Sequence, residues 1–190
     1  RKADSAFLAF EKKIFIRDQH TCQYCGFSSR VYMGVVNVDS NYLNNKKSNL
    51  VTACPFCSQC HFLQSVGISD NTGGLLIYLP EMTQAELNAI CHSIFSAMVL
   101  DTAFAVDAKN IYRSLRLRSQ VIEKELGEGF SNPAFYGQLM IDADKEYTSM
   151  VDQKIADKIR LLPNLKAFTS LLNLWSIEGA KSLSGVKEDV

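Results

Sequence analysis

Two Cys-x-x-Cys pairs constrain this chain more than anything else in it. CQYC occupies positions 22–25 and CPFC positions 54–57, with residues 26–53 between them. Each pair folds back on itself and brings two thiols close together. Two such turns supply four sulfurs, the number a tetrahedral Zn²⁺ takes in a structural site. The spacing therefore assigns Cys22, Cys25, Cys54 and Cys57 to one structural zinc centre with no coordination position left for water or substrate. Zinc bound in this way contributes about 10–16 kcal/mol of apparent free energy in small modules, so the segment around it is expected to be braced by metal. Disulfides are the rival reading and belong to an oxidising compartment. Cys60, three residues past Cys57, is the rival fourth ligand. Cys91 lies in the apolar run AICHSIFSAMV and reads as a buried core thiol.

The 190 residues suffice for one domain of ordinary size, or for a small module joined to a helical body. We expect an α+β chain: a zinc-braced module with an N-terminal helix over residues 1–70, then a mainly helical body over 71–190, the two packed as one unit. With 47% hydrophobic residues a core is available, and 20 basic against 20 acidic residues give a formal net charge of zero. That balance argues against a dedicated nucleic-acid binder, whose affinity rests on a basic surplus. It suits a protein that works inside a complex. No apolar run approaches the ~20 residues of a membrane span, and the N-terminus lacks the pattern of a secretory signal. Six cysteines then imply a reducing, cytoplasmic setting.

Along the chain, Phe7, Phe10, Ile14 and Phe15 stand at near-helical spacing after Asp4, a candidate N-cap. Gly26 closes the first knuckle and is free to take positive φ. The β-branched run 31–38 reads as a strand, the polar stretch 39–49 as a loop, and Pro55 as the first residue of a helix over 55–66. LLIYL at 75–79 is a short strand stopped by Pro80. Thr83 and Glu86 form a capping box for a helix over 84–99. A second long helix is expected over 102–126. It carries Lys109, Arg113 and Arg116 on one stripe, either a solvated face or a surface for an acidic partner. Ser131-Asn132-Pro133 opens another helix, and 147–162 reads as an amphipathic helix ended by Pro163. The last helix carries Leu165, Phe168, Leu171, Leu172 and Trp175. That stripe reads as core, with Trp175 a possible anchor for a partner peptide. Residues 184–190 read as a frayed tail.

The stretch from Cys22 to His61 resembles the HNH endonuclease module, a zinc-braced ββα unit. RDQHTCQYCGF at 17–27, VNVDS at 36–40, SNLVTAC at 48–54 and the Cys54, Cys57, His61 spacing carry the likeness. The resemblance implies that Asp39 matches the first acidic position, Asn49 the positioning asparagine and His61 the final metal-holding histidine. The general base is missing, because Ser40 stands where that family has histidine, and a serine without a partner base accepts no proton near neutral pH. His20 precedes the first knuckle on a different element. Loss of a positioned base costs about 10²–10⁴-fold in rate. The expectation is therefore a non-enzyme, with a metal-dependent HNH endonuclease as the alternative.

The whole chain resembles a family of subunits from the coupling complex of type IVB (Dot/Icm) secretion systems. The likeness lies in CQYCGF, CPFCSQCHFL and DAKNIYRSLRLRSQVIEKELGEGF. It implies a zinc-binding, non-catalytic scaffold subunit in protein transport. Such a subunit binds the C-terminal extension of the coupling ATPase, alongside adaptors that recruit effectors. It is held at the cytoplasmic face of the inner membrane through the complex, with no membrane insertion of its own and no nucleic-acid partner.

Overall fold

The computed structural model describes residues 5–143 and 156–183. The chain opens with α1 (Ser5–Arg17), which buries Ile14 and half-buries Phe7 and Phe10. The expected cap at Asp4 lies outside the described residues. Gln19 and His20 both take positive φ and end the helix. Arg17 donates from its guanidinium to the carbonyls of Lys47 and Leu50, at 2.7 and 2.6 Å, and Asp18 accepts the Thr52 amide at 2.8 Å. The helix end is thereby pinned to the strand that leads into the second knuckle.

A hairpin follows, with β1 (Gly34–Asn37) antiparallel to β2 (Leu50–Ala53) in the register Gly34 to Ala53 and Asn37 to Leu50. The connecting loop is knit by its own side chains. The Asn37 amide donates to the carbonyls of Asn41 and Asn44, and Asn44 and Asn49 donate to the two oxygens of Asp39.

Pro55 sits at the first position of α2 (Pro55–Ser58), as its fixed φ favours. The helix expected over 55–66 stops after that one turn. Tighter 3₁₀ turns at Gln59–His61 and Leu63–Ser65 follow, separated by Phe62 at φ −138° and ψ 54°. Packing overrides the helical pattern here. The buried Gln59 spends its side-chain oxygen on the Gly73 amide at 3.0 Å, and Phe62 turns out to stack on Tyr42.

The second sheet pairs β3 (Gly74–Tyr78) with β4 (Ile159–Pro163), antiparallel, with Gly74 opposite Pro163 and Tyr78 opposite Ile159. This corrects the helix expected over 147–162. Residues 159–163 are a strand preceded by a 3₁₀ turn at Ala156–Lys158, and the N-terminal part of the expected helix lies outside the described residues. The physical reason is that the apolar run of β3 needs an edge partner, and the Leu161 amide finds an acceptor in the Gln84 side chain at 2.7 Å.

Helix α3 (Gln84–Val99) has the expected capping box, with Thr83 and Glu86 bonding each other's main chain. Asp101 at φ 47° separates it from α4 (Ala105–Leu117), and α5 (Ser119–Leu126) follows at once. One long helix was expected here. The break falls at Arg118, whose carbonyl accepts the Tyr78 amide at 3.3 Å and whose side chain pairs with Glu81 and donates to the Tyr78 carbonyl. Helix α6 (Pro133–Asp142) is capped by Asn132, and α7 (Leu165–Leu183) closes the described chain.

One buried cluster joins Cys22, Ala53, Phe56 and Cys57 to Leu87, Cys91 and Phe95 of α3 and to Phe168, Leu172 and Trp175 of α7. The knuckles and the helices thus share a core. A smaller cluster around Val66, Leu76, Tyr136 and Leu161 lies beneath α6.

Candidate metal centre

Each knuckle is shaped by its own backbone. In the first, the Cys22 amide donates to the Phe27 carbonyl and the Gly26 amide to the Cys22 carbonyl, at 2.8 and 3.0 Å, with Gly26 at φ 77° as expected. In the second, Cys54 precedes α2, and its carbonyl accepts the amides of Cys57 and Ser58. The β1–β2 hairpin sets the two knuckles face to face. The sulfurs of Cys22, Cys25, Cys54 and Cys57 all lie within 4.8 Å of one another, and those of Cys25 and Cys54 are 3.6 Å apart. Sulfurs bound at about 2.3 Å to a tetrahedral zinc stand about 3.8 Å apart, so the spacing matches such an ion.

The electrostatics point the same way. Hydrogen bonding from Cys22, then from Cys54 and Cys57, holds the Cys25 thiol far below its ordinary range. Burial, together with the neighbouring sulfurs, pushes Cys54 well above it, and the bonds to Cys22 and Cys25 raise Cys57. Four sulfurs this close and this buried cannot all carry charge unaided. A divalent cation among them would let all four ionise together.

Helix α3 adds two donors that the sequence reading missed. The Asn88 side-chain amide donates to the Cys57 sulfur at 3.2 Å, and Nε2 of His92 lies 3.3 Å from the Cys54 sulfur. Burial lowers the pKa of His92, and in the tautomer that carries its proton on Nε2 the ring donates to sulfur. The imidazole lies flat between Phe27, centroid to centroid 3.7 Å, and Phe56, at 4.2 Å, with Trp175 tilted against His92 and Phe27 and edge-on to Phe56. Asn88 is positioned by Gln84, whose amide donates both to Asn88 Oδ1 at 3.0 Å and to the Leu161 carbonyl at 2.9 Å. Donors of this kind orient thiolate ligands and disperse their charge. The signal for them was available, because Asn88 and His92 stand four residues apart on a face whose other members are Leu87, Cys91 and Phe95.

Cys60 lies outside the four-sulfur group and donates to the Phe56 carbonyl at 3.3 Å, with burial pushing its thiol up to about 12. Cys91 is fully buried in the core, its thiol likewise pushed up to about 12 by burial. Trp175 is buried, and its indole donates to the Val31 carbonyl at 3.2 Å, which ties α7 to the segment after the first knuckle.

The positions matched to the HNH pattern fall in two places. Asp39 and Asn49 meet in the hairpin loop, where Asn49 also accepts the Asp39 amide at 3.1 Å and Ser40 turns the chain at φ 56°. Both Asp39 oxygens receive amide donors, from Asn44 first, then Asn41 and Asn49, which hold its carboxyl below the usual range. His61 packs instead against Tyr24, ring centroids 5.4 Å apart. Among the described residues, the four cysteines are the one group of three or more His, Cys, Asp or Glu side chains placed to hold a metal ion.

Fold and centre define a small protein of helices and two short antiparallel sheets, with a buried four-cysteine cluster in its core able to take a metal ion. No helix among the described residues is long and apolar enough to cross a membrane. No family model matches the chain. It is 48% identical, over 184 residues, to the type 4 apparatus protein DotN of Legionella pneumophila subsp. pneumophila, a match covering 97% of this chain and 86% of that protein. The chain therefore belongs to the DotN (IcmJ) family of type IV secretion apparatus proteins.

Proposed function

We propose that this protein is a non-catalytic, zinc-stabilised subunit of a type IV secretion coupling complex. Its membership of the DotN family carries the reading. The partner is the C-terminal segment of a DotL-like coupling ATPase, and the platform they form with adaptor proteins recruits effectors at the cytoplasmic face of the inner membrane. The metal is one Zn²⁺ held by Cys22, Cys25, Cys54 and Cys57. Four buried thiols with amide and imidazole donors behind them suit a soft cation in a closed, structural role. The order β1, β2, α2 around the knuckles supports an HNH-like origin for residues 1–70. Ser40 at the position of the general base, and an Asp39 carboxylate already occupied by three amides, support the loss of nuclease chemistry.

The experiment is capture of the purified ATPase C-terminal segment by the purified chain, paired with metal analysis and a cleavage assay on supercoiled DNA with Mg²⁺ or Mn²⁺. We expect a stoichiometric complex, one zinc per chain and intact DNA. Absence of a complex, or cleavage abolished by His61→Ala, would overturn the reading.

A further inference from the structure

Lys109, Arg113 and Arg116 line a cleft of about 410 Å³ where α4 meets α5 and β3. Its apolar lining is Leu75, Met98 and Leu117, and Tyr112 forms a wall. Tyr112 is held in place by donating to the Pro163 carbonyl at 3.1 Å and by packing edge-on against Phe95 at 5.1 Å, so the cleft is formed before anything enters it.

The charges of the cleft are one-sided. No aspartate or glutamate lines it, and none of the three cations has an ion pair or a side-chain hydrogen bond among the described residues. Arg118, next along the same run, shows the contrast, because it is spent on Glu81 and the Tyr78 carbonyl. Like charges three and four residues apart weaken a helix, and no carboxylate pairs with Lys109, Arg113 or Arg116 among the described residues. With 20 basic and 20 acidic residues overall, the chain is balanced, and the three cations of this cleft form a local basic patch.

We propose that the cleft docks an acidic segment of a protein partner, inserting one apolar side chain against Leu75, Met98 and Leu117 while flanking carboxylates meet the three cations. This rests on the reading of the chain as a binding subunit. A bidentate guanidinium fits a carboxylate closely, and two of the three cations are arginines. A duplex offers phosphates but no apolar side chain for the cleft, and a balanced protein lacks the extended basic field that nucleic acid requires.

The test uses the full chain and a short fluorescein-labelled peptide with one leucine flanked on both sides by glutamates, read by anisotropy. The protein variant is the triple charge reversal Lys109→Glu, Arg113→Glu, Arg116→Glu. All three side chains are exposed, and unchanged circular dichroism and metal content will show that the variant folds. We expect affinity to fall with added salt, a loss of about tenfold or more in the variant, and weaker binding when the leucine becomes serine. A peptide with lysines for glutamates should prefer the variant. Peptide binding unaffected by the charge reversal would overturn the proposal. So would binding indifferent to the leucine and matched by a DNA duplex. The same proteins are assayed for capture of the ATPase segment. Failed capture by the unaltered chain with normal peptide binding counts against the subunit reading alone. Normal capture with no peptide binding counts against the cleft alone.

Discussion

Replacing His92 by phenylalanine separates what the ring packs from what its nitrogen does. The flat ring between Phe27 and Phe56 is retained, while Nε2, 3.3 Å from the Cys54 sulfur, is lost with any proton it donates. Removing a hydrogen bond to a metal thiolate costs about 10–100-fold in metal affinity, equivalent to about 1.4–2.8 kcal/mol. His92→Ala removes the same proton and also empties the slot between two aromatic rings at a site only 7% exposed. Deleting a buried ring costs about 3–5 kcal/mol, so this variant should unfold at distinctly lower urea than His92→Phe while losing at least as much zinc affinity. The assay is competition for Zn²⁺ against a chromophoric chelator, with urea unfolding in parallel. A His92→Phe protein that holds zinc within about twofold of the unaltered chain would refute the argument that His92 supports the sulfur, and would leave it a packing residue.

Serine in place of Cys22, Cys25, Cys54 or Cys57 should abolish stoichiometric zinc by elemental analysis, whereas Cys60→Ser should retain it, because the Cys60 thiol is bonded to the Phe56 carbonyl. Gly137→Ala should destabilise by about 1–3 kcal/mol, since its Cβ would stand 2.5 Å from the Gln64 amide nitrogen and 2.7 Å from Leu63 Cβ. Gly179→Ala, in a helix with nothing within 4 Å, should stabilise by about 0.5–1 kcal/mol, and denaturant melts showing the same sign for both would contradict this packing. Burial lowers His61 below its ordinary 6.5. On acidification the unfolded chain takes up that proton first. The contribution of His61 is therefore fully present above pH 6.5 and is lost as pH falls from 6.5 toward the folded-state value. An NMR midpoint at or above 6.5 for His61 would contradict it, and His61→Gln should flatten that part of the stability profile.

What the sequence made legible is local chemistry. Two Cys-x-x-Cys turns, Gly26 with positive φ, the Thr83–Glu86 box and the Asn132–Pro133 start each depend on a few adjacent residues, and each stands where expected. The misses depend on residues far apart in the chain. Nothing in RLRSQ breaks a helix, and the break at Arg118 comes from its bonds to Tyr78 and Glu81 across the fold. Residues 159–163 become β4 through pairing with β3 and an amide bond to Gln84, neither of which leaves a trace in IRLLP itself. The four sulfurs were read from spacing, but the donors behind them lie on α3, and an isolated histidine in an apolar run does not announce which sulfur it serves.

The link from Cys57 through Asn88 and Gln84 to Leu161 has a consequence for how the protein is made. A nascent chain halted after residue 70 would own all four cluster sulfurs but neither the amide nor the imidazole that supports them. The strand that steadies Gln84, and the tryptophan that covers the rings, emerge from the ribosome later still. An ion captured early would sit in a loose, exchangeable chelate, and it would become locked only when the C-terminal helix docks. Metal retention should therefore rise in a step during translation, timed by the arrival of residues 159–175 and not by that of the last cysteine ligand.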